Sequence, residues 1–445
     1  MIRELQNDRW GEFSHHLKEA FKIERLDDGI PKKIVVAENV LNCLEEWLDL
    51  VFSKYQVLGG QIFEVLVEII RSLRNCTSNF KTQKYIIENT NILRVMDNIF
   101  SNIVGVEPNN ICLKVLLQFL INLSSSNKEA TKAVFEIFFD KIKMCLSSNI
   151  CEYESSALIY NFSLSVTITD TELINQIFDI YDSNSTNEFV IFFLERNVSS
   201  THFWSVFTQF KMENKITTLE ILKYMQLRKK AHNLPETGLE LLTSSFLESV
   251  NIIFEMKLTE QNNMKIYELS LILEIISSLS SDENYRQKLQ SNKDILINSG
   301  VILINIHRLG KVCNNCFTPV QKLSEFKVNS KLKEIATFGF KADLVRLIGN
   351  LCWKNRELQN LARTAELIPV ILDCCNMDAR NPFIMQWAIL AVRNLCENNQ
   401  ENQKLIAGLY QEGTVSSEIL NEMGLTLHSD GENQLKVVSL DSLKI

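Results

Sequence analysis

The sequence predicts an all-α fold built from repeated helical units. Apolar side chains recur at the three- and four-residue spacing of one helix face, as at Leu344, Leu347 and Leu351. Only 14 Gly and 6 Pro interrupt the 445 residues, too few for the turns of a many-stranded β protein. The word Asn-Leu-Cys at 350–352 also returns 44 residues later, at 394–396. Helices joined by short loops, in repeated copies, fit all three observations.

The repeated word recurs in looser form through the N-terminal half, where it begins at Asn75, Asn122, Asn161 and Asn197. Successive copies are 47, 39 and 36 residues apart. A period near 40 in a helix-rich chain is typical of armadillo and HEAT repeats, which must stack on their neighbours to bury their apolar faces. We therefore expect an armadillo/HEAT-like helical-repeat solenoid, whose function lies on a stacked surface.

The best-defined repeat predicts two to three helices. The first ends near Lys354, the second turns Leu358 and Ala362 inward, and the third carries Pro369 at an early position, where its missing N–H is no loss. The second copy starts at Pro382, after Asn381. Each unit should therefore be a short bundle that is completed by the next.

Composition shifts suggest where the chain divides. We expect divergent helical repeats over 1–309, with a weaker break at the polar cluster 182–187. The stretch 310–337 is rich in Lys and poor in large apolar residues, so it reads as a loop or linker. A better-specified repeat block should follow over 338–445, with a terminal cap of short extended pieces after Gly424.

The net charge and the cysteines indicate which partners and which cellular compartment to expect. A net charge of -8 argues against a general nucleic-acid or anionic-membrane surface, and no apolar run reaches the ~20 residues that span a bilayer. The N-terminus lacks the apolar run of a signal peptide, so the N-x-[ST] words at the repeated asparagines are not expected to be glycosylated. Eleven Cys, mostly in apolar helical patterns, predict reduced thiols and a cytoplasmic location. We expect this location to include the perinuclear region.

The sequence contains only weak matches to metal-binding and catalytic motifs. Cys313 and Cys316 have the spacing of half a zinc site, but His307 is the only nearby third ligand, so we expect two free thiols and no metal. The chain has no Walker-type loop, dinucleotide fingerprint or H-E-x-x-H. The basic run 228–230 is interpreted as a helix end, and a localisation signal or a phosphate-binding site is the alternative. We predict no cofactor and no enzymatic activity.

The recurring asparagines are the candidate site. In armadillo proteins that bind extended peptides, such an Asn pairs with the peptide backbone, so Asn350, Asn394 and Asn122 would line a partner groove together with Arg346. The alternative is that each Asn holds the turn of its own repeat. Nuclear import receptors of this fold place Trp four residues before the Asn, a position held here by Arg346 in one repeat, which disfavours import cargo.

The C-terminal words are specific enough to compare with a family. They are Leu-Ile-Gly-Asn-Leu-Cys at 347–352, Ile-Pro at 368–369, Asn-Pro-Phe at 381–383, Arg-Asn-Leu at 393–395 and Glu-Asn-Gln at 401–403. In this order they resemble the C-terminal domain of the ataxin-10 family, over about residues 335 to 440. Further toward the N-terminus, the chain resembles the family only in being built from similar helical repeats, and the specific words are not shared.

The resemblance implies an armadillo-like, non-enzymatic cytoplasmic scaffold that acts through other proteins or peptide segments. At family level it links the chain to cell survival, neurite growth and cell division. The family supplies no catalytic residues to carry over. A transport adaptor that binds basic peptide cargo is the alternative, and self-association of the chain is left open.

Overall fold

The computed structural model describes residues 9–22, 36–58, 60–105, 110–184, 186–227, 234–249, 260–312, 314–320, 336–409, 420, 422–429 and 435–440. The chain divides into two compact units, Met1–Asn197 and Val198–Ile445. Almost every described element in both units is an α-helix. The predicted all-α, armadillo-like helical-repeat fold is therefore confirmed.

Unit 1 consists of short helices that pack in successive layers. They are α1 (Trp10–Ala20), α2 (Glu38–Leu58), α3 (Gly60–Cys76), α4 (Phe80–Asn89), α5 (Ile92–Ile103), α6 (Asn110–Ser124), α7 (Lys128–Ser147), α8 (Glu152–Ser163), α9 (Thr171–Ser183) and α10 (Glu188–Val198). Helices α3, α6 and α8 lie side by side. Helices α2, α5 and α7 pack against them. Leu66, Leu116 and Phe162 are fully buried between these layers. Burying such side chains provides the main driving force for stacking one repeat on the next.

Unit 2 repeats this arrangement and adds a small hairpin. Its helices are α11 (Thr201–Val206), α12 (Met212–Leu227), α13 (Glu236–Ser249), α14 (Glu260–Leu279), α15 (Glu283–Gln290), α16 (Lys293–Val312), α17 (Phe340–Cys352), α18 (Arg356–Thr364), α19 (Leu367–Asp373), α20 (Ile384–Cys396) and α21 (Gln400–Ala407), with a 3₁₀ turn at Phe207–Gln209. Helices α12, α14, α17 and α20 lie side by side. The expected extended pieces are β1 (Leu425–Ser429) and β2 (Leu435–Ser439), an antiparallel pair with Leu427 opposite Val437.

We call α3, α6 and α8 of unit 1, and α14, α17 and α20 of unit 2, the ladder helices. Three of them, α6, α17 and α20, end in the same turn. The residue four positions after the repeated Asn has a positive φ, at Ser126, Lys354 and Asn398. An Asn follows it and caps the next helix, as Asn355 does by accepting a hydrogen bond from the N–H of Leu358. Both units therefore use the same turn, with a capping Asn, between these helices and the next.

Contacts between helices extend across the Lys-rich stretch within unit 2. Helix α16, which precedes the Lys-rich stretch, packs against α17, α18 and α19, which follow it. Residues 314–320 also bond to the turn before α20, where the carbonyl oxygen of Cys316 accepts from Arg380 Nη1 at 2.7 Å. Both sides of the stretch therefore belong to unit 2. Residues 321–335 lie outside the described part of the chain.

One described helix, α16, is long and apolar enough to cross a membrane by length and composition. Half of its most apolar window is buried inside unit 2, where Ile302, Leu303 and Ile306 have no exposed surface. The core helix of a soluble protein passes the same test of length and composition. Its apolar character is accounted for by the helices that cover it.

Candidate functional site

The repeated asparagines of unit 1 connect neighbouring ladder helices. The Nδ2 atom of Asn122 donates to the carbonyl oxygen of Arg74 at 3.0 Å, and that of Asn161 donates to the carbonyl oxygen of Ile121 at 3.2 Å. Each acceptor is the residue just before the Asn of the preceding ladder helix. Carbonyls in the last turn of a helix have no partner within the helix. The next repeat therefore supplies a donor from outside the helix, in addition to the Thr77 and Ser124 hydroxyls, which also donate to these two carbonyl oxygens.

Unit 2 contains the same connection. The Nδ2 atom of Asn394 donates to the carbonyl oxygen of Gly349 at 2.9 Å, again the residue before the preceding repeat's Asn. The Nδ2 atom of Asn350 reaches the Oγ atom of Ser280 on α14 at 2.9 Å. Asn350 and Asn394 are only 7% and 3% exposed. The two amides therefore lie inside the stack, between ladder helices.

Neither of the two expected arrangements describes these contacts. A groove-facing amide would be open to solvent, and an amide that holds its own turn would bond within its repeat. The asparagines instead bond to the preceding repeat, because the ladder helices approach closely enough to bring each side chain to its neighbour's last turn. The copy at Asn197 differs, since its Nδ2 atom donates to the carbonyl oxygen of Phe193 in the same helix.

A second set of connecting residues was not predicted. The Nε2 atom of Gln359 donates to the carbonyl oxygen of Asn394 at 2.9 Å, and the Nε2 atom of Gln83 donates to that of Asn122 at 2.8 Å. These bonds point toward the following repeat, whereas the asparagine bonds point toward the preceding one. Each Gln lies four residues after the asparagine that caps its helix, at Asn355 and Asn79. The spacing Asn-x-x-x-Gln is thus the sequence signal of the forward connection.

The exposed face of the side-by-side helices in unit 2 carries a continuous row of charged and aromatic groups. Lys223 Nζ on α12 lies 2.8 Å from Glu274 Oε2 on α14. Asp343 on α17 interacts electrostatically with Glu274 and with Arg346. The guanidinium of Arg346 lies 4.7 Å from the ring centroid of Trp387 on α20. We call Lys223, Glu274, Asp343, Arg346 and Trp387 the polar row.

The polar row includes one carboxyl group with a shifted pKa. Burial, followed by the nearby charge of Glu274, raises the pKa of Asp343 to about 6, against the opposing effects of the Ser277 hydroxyl and Arg346. The Oγ atom of Ser277 donates to Asp343 Oδ1 at 3.1 Å. Burial lowers the pKa of Arg346, and the two neighbouring carboxylates act in the opposite direction. Arg346 is thus the member of the predicted site that the structure places, half-buried, in the polar row.

Unit 1 carries a comparable chain of contacts across its ladder helices. The Nη1 atom of Arg74 on α3 donates to Gln118 Oε1 on α6 at 2.7 Å, and Gln118 Nε2 donates to Glu154 Oε1 on α8 at 3.2 Å. Lys114 Nζ lies 3.3 Å from the same carboxylate oxygen. Gln118 stands four residues before Asn122, as Arg346 does before Asn350. Polar side chains therefore follow the ladder helices in both units.

Other chemistry considered from the sequence has little support in the described residues. Cys313 lies outside them, and within them no group of three His, Cys, Asp or Glu side chains is placed to hold a metal. Burial raises the pKa of Cys374 to about 11, so its thiol stays protonated and unreactive near neutral pH. His307 Nε2 is 2.7 Å from Asp373 Oδ2, while its Nδ1 is 2.8 Å from Lys341 Nζ. The basic run 228–230 also lies outside the described residues.

Similarity to solved structures is low across the whole chain. One chain from a study of the interaction between cadherin and beta-catenin covers 84% of this chain and 65% of its own length, with 13% identity and a TM-score of 0.36. A likeness at this level assigns no function.

The sequence relatives are more informative. The family model of the spinocerebellar ataxia type 10 protein domain matches residues 340–438, from the start of α17 to the end of the hairpin. Ataxin-10 of Xenopus tropicalis is 28% identical over 83% of this chain and 80% of its own length. Ataxin-10 of Bos taurus is 25% identical over 93% and 90%. An ataxin-10 homolog of Dictyostelium discoideum is 45% identical over 20% of this chain and 14% of its own. Residues 340–438 therefore match the spinocerebellar ataxia type 10 protein domain, and most of the chain is similar to ataxin-10 proteins.

Proposed function

We propose that the chain is a non-enzymatic scaffold that binds segments of other proteins along the exposed faces of its ladder helices. It works in the cytoplasm, including the perinuclear region. The family resemblance connects this role with cell survival, neurite growth and cell division. Ataxin-10 relatives form a non-catalytic repeat family, and this supports a mechanism of binding alone.

The observation that carries the proposal is the polar row of unit 2. Four adjacent helices each contribute at least one group that can hydrogen-bond or stack, and all are half-exposed. Parallel, regularly spaced helices present such groups at intervals that an extended peptide can follow with its backbone and alternate side chains. The asparagine and glutamine bonds beneath the row fix the spacing of the helices. A partner would therefore bind a surface that is already organised, with little loss of conformational entropy.

The row has mixed charge, and this bears on the transport-adaptor alternative. Lys223 and Arg346 balance Glu274 and Asp343. The Trp387 ring is already covered by the Arg346 guanidinium. A groove for basic cargo needs free aromatic or acidic groups. The polar row therefore fits a partner segment with both hydrogen-bonding and charged side chains better than a basic cargo signal.

The test is affinity capture from cell extract with quantitative mass spectrometry. The variant Arg346→Ala/Trp387→Ala removes the stacked pair, and Lys293→Ala, whose side chain is 53% exposed on α16, is the matched control. We expect a defined set of proteins to be captured by the wild type and the control and lost from the double variant. Melting curves establish that the variants are folded. Identical captured sets for all three proteins would contradict the role of the row.

Self-association remains a separate prediction about partners. Sedimentation velocity on the wild type tests it directly. A single monomeric species across the accessible concentration range would rule it out.

A further inference from the structure

Unit 1 exposes a group of four aromatic rings on α8 and α10. Tyr153 and Phe189 lie with ring centroids 5.1 Å apart in an edge-to-face arrangement, and Tyr160 lies 5.7 Å from Phe192. Tyr153 is 50% exposed and Phe192 is 40% exposed. We call Tyr153, Tyr160, Phe189 and Phe192 the aromatic patch. Exposed rings that contact one another in this way leave a continuous apolar surface in water, and such surfaces commonly mark binding sites.

The patch continues the exposed face of the ladder helices. Tyr153 lies eight residues before Asn161, and Phe189 lies eight residues before Asn197, so the two rings occupy equivalent positions on neighbouring helices. Glu154, adjacent to Tyr153, accepts from Gln118 and joins the row of polar contacts in unit 1. The rings therefore stand beside the polar contacts of unit 1, on the surface where a bound segment would lie.

The stretch of sequence that contributes the patch is strongly acidic. From residue 144 to residue 195 the sequence contains eight Asp or Glu and no Lys, Arg or His. The whole chain has a net charge of -8, so this stretch alone carries a negative charge of the same size. A concentration of one sign over a single surface attracts the opposite charge and raises its local concentration.

The acidic groups nearest to the rings are not neutralised by cations of the described residues. Glu188 accepts a hydrogen bond from the Tyr153 hydroxyl at 3.1 Å, and Glu152 accepts one from Asn184 at 2.9 Å. Both donors are uncharged, and no described Lys or Arg lies within ion-pair distance of either carboxylate. By contrast, Lys143 pairs with Asp170 and Glu172, and Lys114 pairs with Glu154. Two carboxylates beside exposed rings therefore have no cationic partner among the described residues.

We infer that the aromatic patch binds an arginine- or lysine-rich segment of a partner protein. A guanidinium placed over the face of Tyr153 or Phe192 gains a cation–π interaction, and Glu188 and Glu152 neutralise the charge from the side. An extended segment with a basic residue at every second position presents its side chains to successive helices. The inference rests on the proposed binding function, but the patch belongs to unit 1 and is tested by its own variants.

The probe is a fluorescein-labelled ten-residue peptide that alternates Arg and Ser, compared with one that alternates Glu and Ser. Binding to the full-length protein is measured by fluorescence anisotropy at 50 and 300 mM NaCl. We expect the Arg peptide to bind, its affinity to fall at the higher salt concentration, and the Glu peptide not to bind. Equal binding of both peptides would overturn the inference.

Three variants locate the contact. Phe192→Ser/Glu188→Gln removes one exposed ring and one charge, and we expect it to weaken binding of the Arg peptide by at least about fivefold. Phe80→Ser, which removes a 57% exposed ring elsewhere in unit 1, should leave the affinity unchanged. Tyr153→Phe keeps the ring but removes the hydroxyl that bonds Glu188, so it separates stacking from this hydrogen bond. Melting curves check that each variant is folded.

The outcomes separate this inference from the proposed function. If the Arg peptide binds the Phe192→Ser/Glu188→Gln variant as tightly as the wild type, the patch is not its site and the inference fails. If that binding is lost in Arg346→Ala/Trp387→Ala instead, the polar row is the basic-segment site. The proposed scaffold role would then survive without the aromatic patch.

Discussion

Asn394 donates a hydrogen bond from Nδ2 to the carbonyl oxygen of Gly349 at 2.9 Å, across the contact between α20 and α17. A Cβ atom added to Gly349 would lie 2.8 Å from the Cα and Cβ atoms of Ala391. The absence of a side chain at Gly349 therefore lets the two helices approach closely enough for the Asn394 bond to form. The contact between the two repeats therefore depends on both residues, a glycine in one repeat and an asparagine in the next.

Asn394→Ala should destabilise unit 2 without changing its fold. The carbonyl oxygen of Gly349 would lose its donor inside the protein, at a cost of about 1–3 kcal/mol. The midpoint of urea unfolding measures the loss. Asn298→Ala is the control, because that exposed amide bonds only to Asp294 in its own helix and its removal should have little effect. Equal losses of stability in both variants would show that the Asn394 bond between repeats stabilises the protein no more than a bond within one helix.

Gly349→Ala should destabilise through overpacking. The new methyl group meets the backbone of Ala391, which cannot move as a flexible side chain would, and the expected cost is about 1–3 kcal/mol. Gly11→Ala is the opposite case, since nothing lies within 4 Å of a Cβ added there and α1 should gain slightly from the better helix former. Thermal melting of the two variants should therefore shift in opposite directions.

Gln359→Glu should be more damaging than its small change in shape suggests. The Gln359 Nε2 atom faces the carbonyl oxygens of Cys352, Asn394 and Glu397, and the side chain is 1% exposed. A carboxylate there would place a buried negative charge against three acceptors, at a cost of several kcal/mol. Chemical unfolding at neutral pH measures this loss of stability. Gln403→Glu changes an exposed side chain with a single acceptor, Cys396, and should cost far less.

The raised pKa of Asp343 predicts how stability depends on pH. A carboxyl group whose pKa rises from 3.8 in the unfolded chain to about 6 in the folded chain binds its proton more tightly when folded. The free energy of unfolding should therefore fall as pH rises from about 4 through 6, and stay lower above that range. Asp343→Asn removes the ionisation and should be more stable than the wild type at pH 7.5, by about 1–2 kcal/mol.

Comparing Asp343→Asn with the wild type at low pH provides a control for this prediction. Near pH 4 the two proteins should differ little, because the wild-type carboxyl group is protonated in the folded state. Unfolding midpoints at pH 4.5 and 7.5 give the comparison. A difference that is independent of pH would show that Asp343 does not titrate as described.

The Lys-rich stretch 310–337 remains a prediction about accessibility. It contains Lys311, Lys322, Lys327, Lys331 and Lys333 and few large apolar residues. Brief treatment with a protease of broad specificity, such as proteinase K, followed by mass spectrometry of the fragments, should give the first cuts there. Earlier cleavage near the polar cluster 182–187 would move the exposed segment to the other predicted break.

The sequence by itself determined the fold class and the resemblance to ataxin-10. The 3.6-residue spacing of apolar side chains, the scarcity of Gly and Pro, and a word repeated at 44 residues are local or periodic properties, so they can be read without coordinates. The same is true of the C-terminal words that resemble ataxin-10. The Asn-x-x-x-Gln spacing was equally present in the sequence and became meaningful only once both bonds of Gln359 and Asn394 were located.

Tertiary structure decided what the repeated residues do. Sequence position shows that Asn350 and Asn394 are equivalent, but whether an amide meets a partner, its own turn or the preceding repeat depends on how closely two helices approach. That distance is set by Gly349 against Ala391, residues 42 positions apart. The polar row and the aromatic patch likewise combine side chains from helices far apart in sequence. Their arrangement follows from packing, because no local pattern specifies which faces meet and which remain exposed.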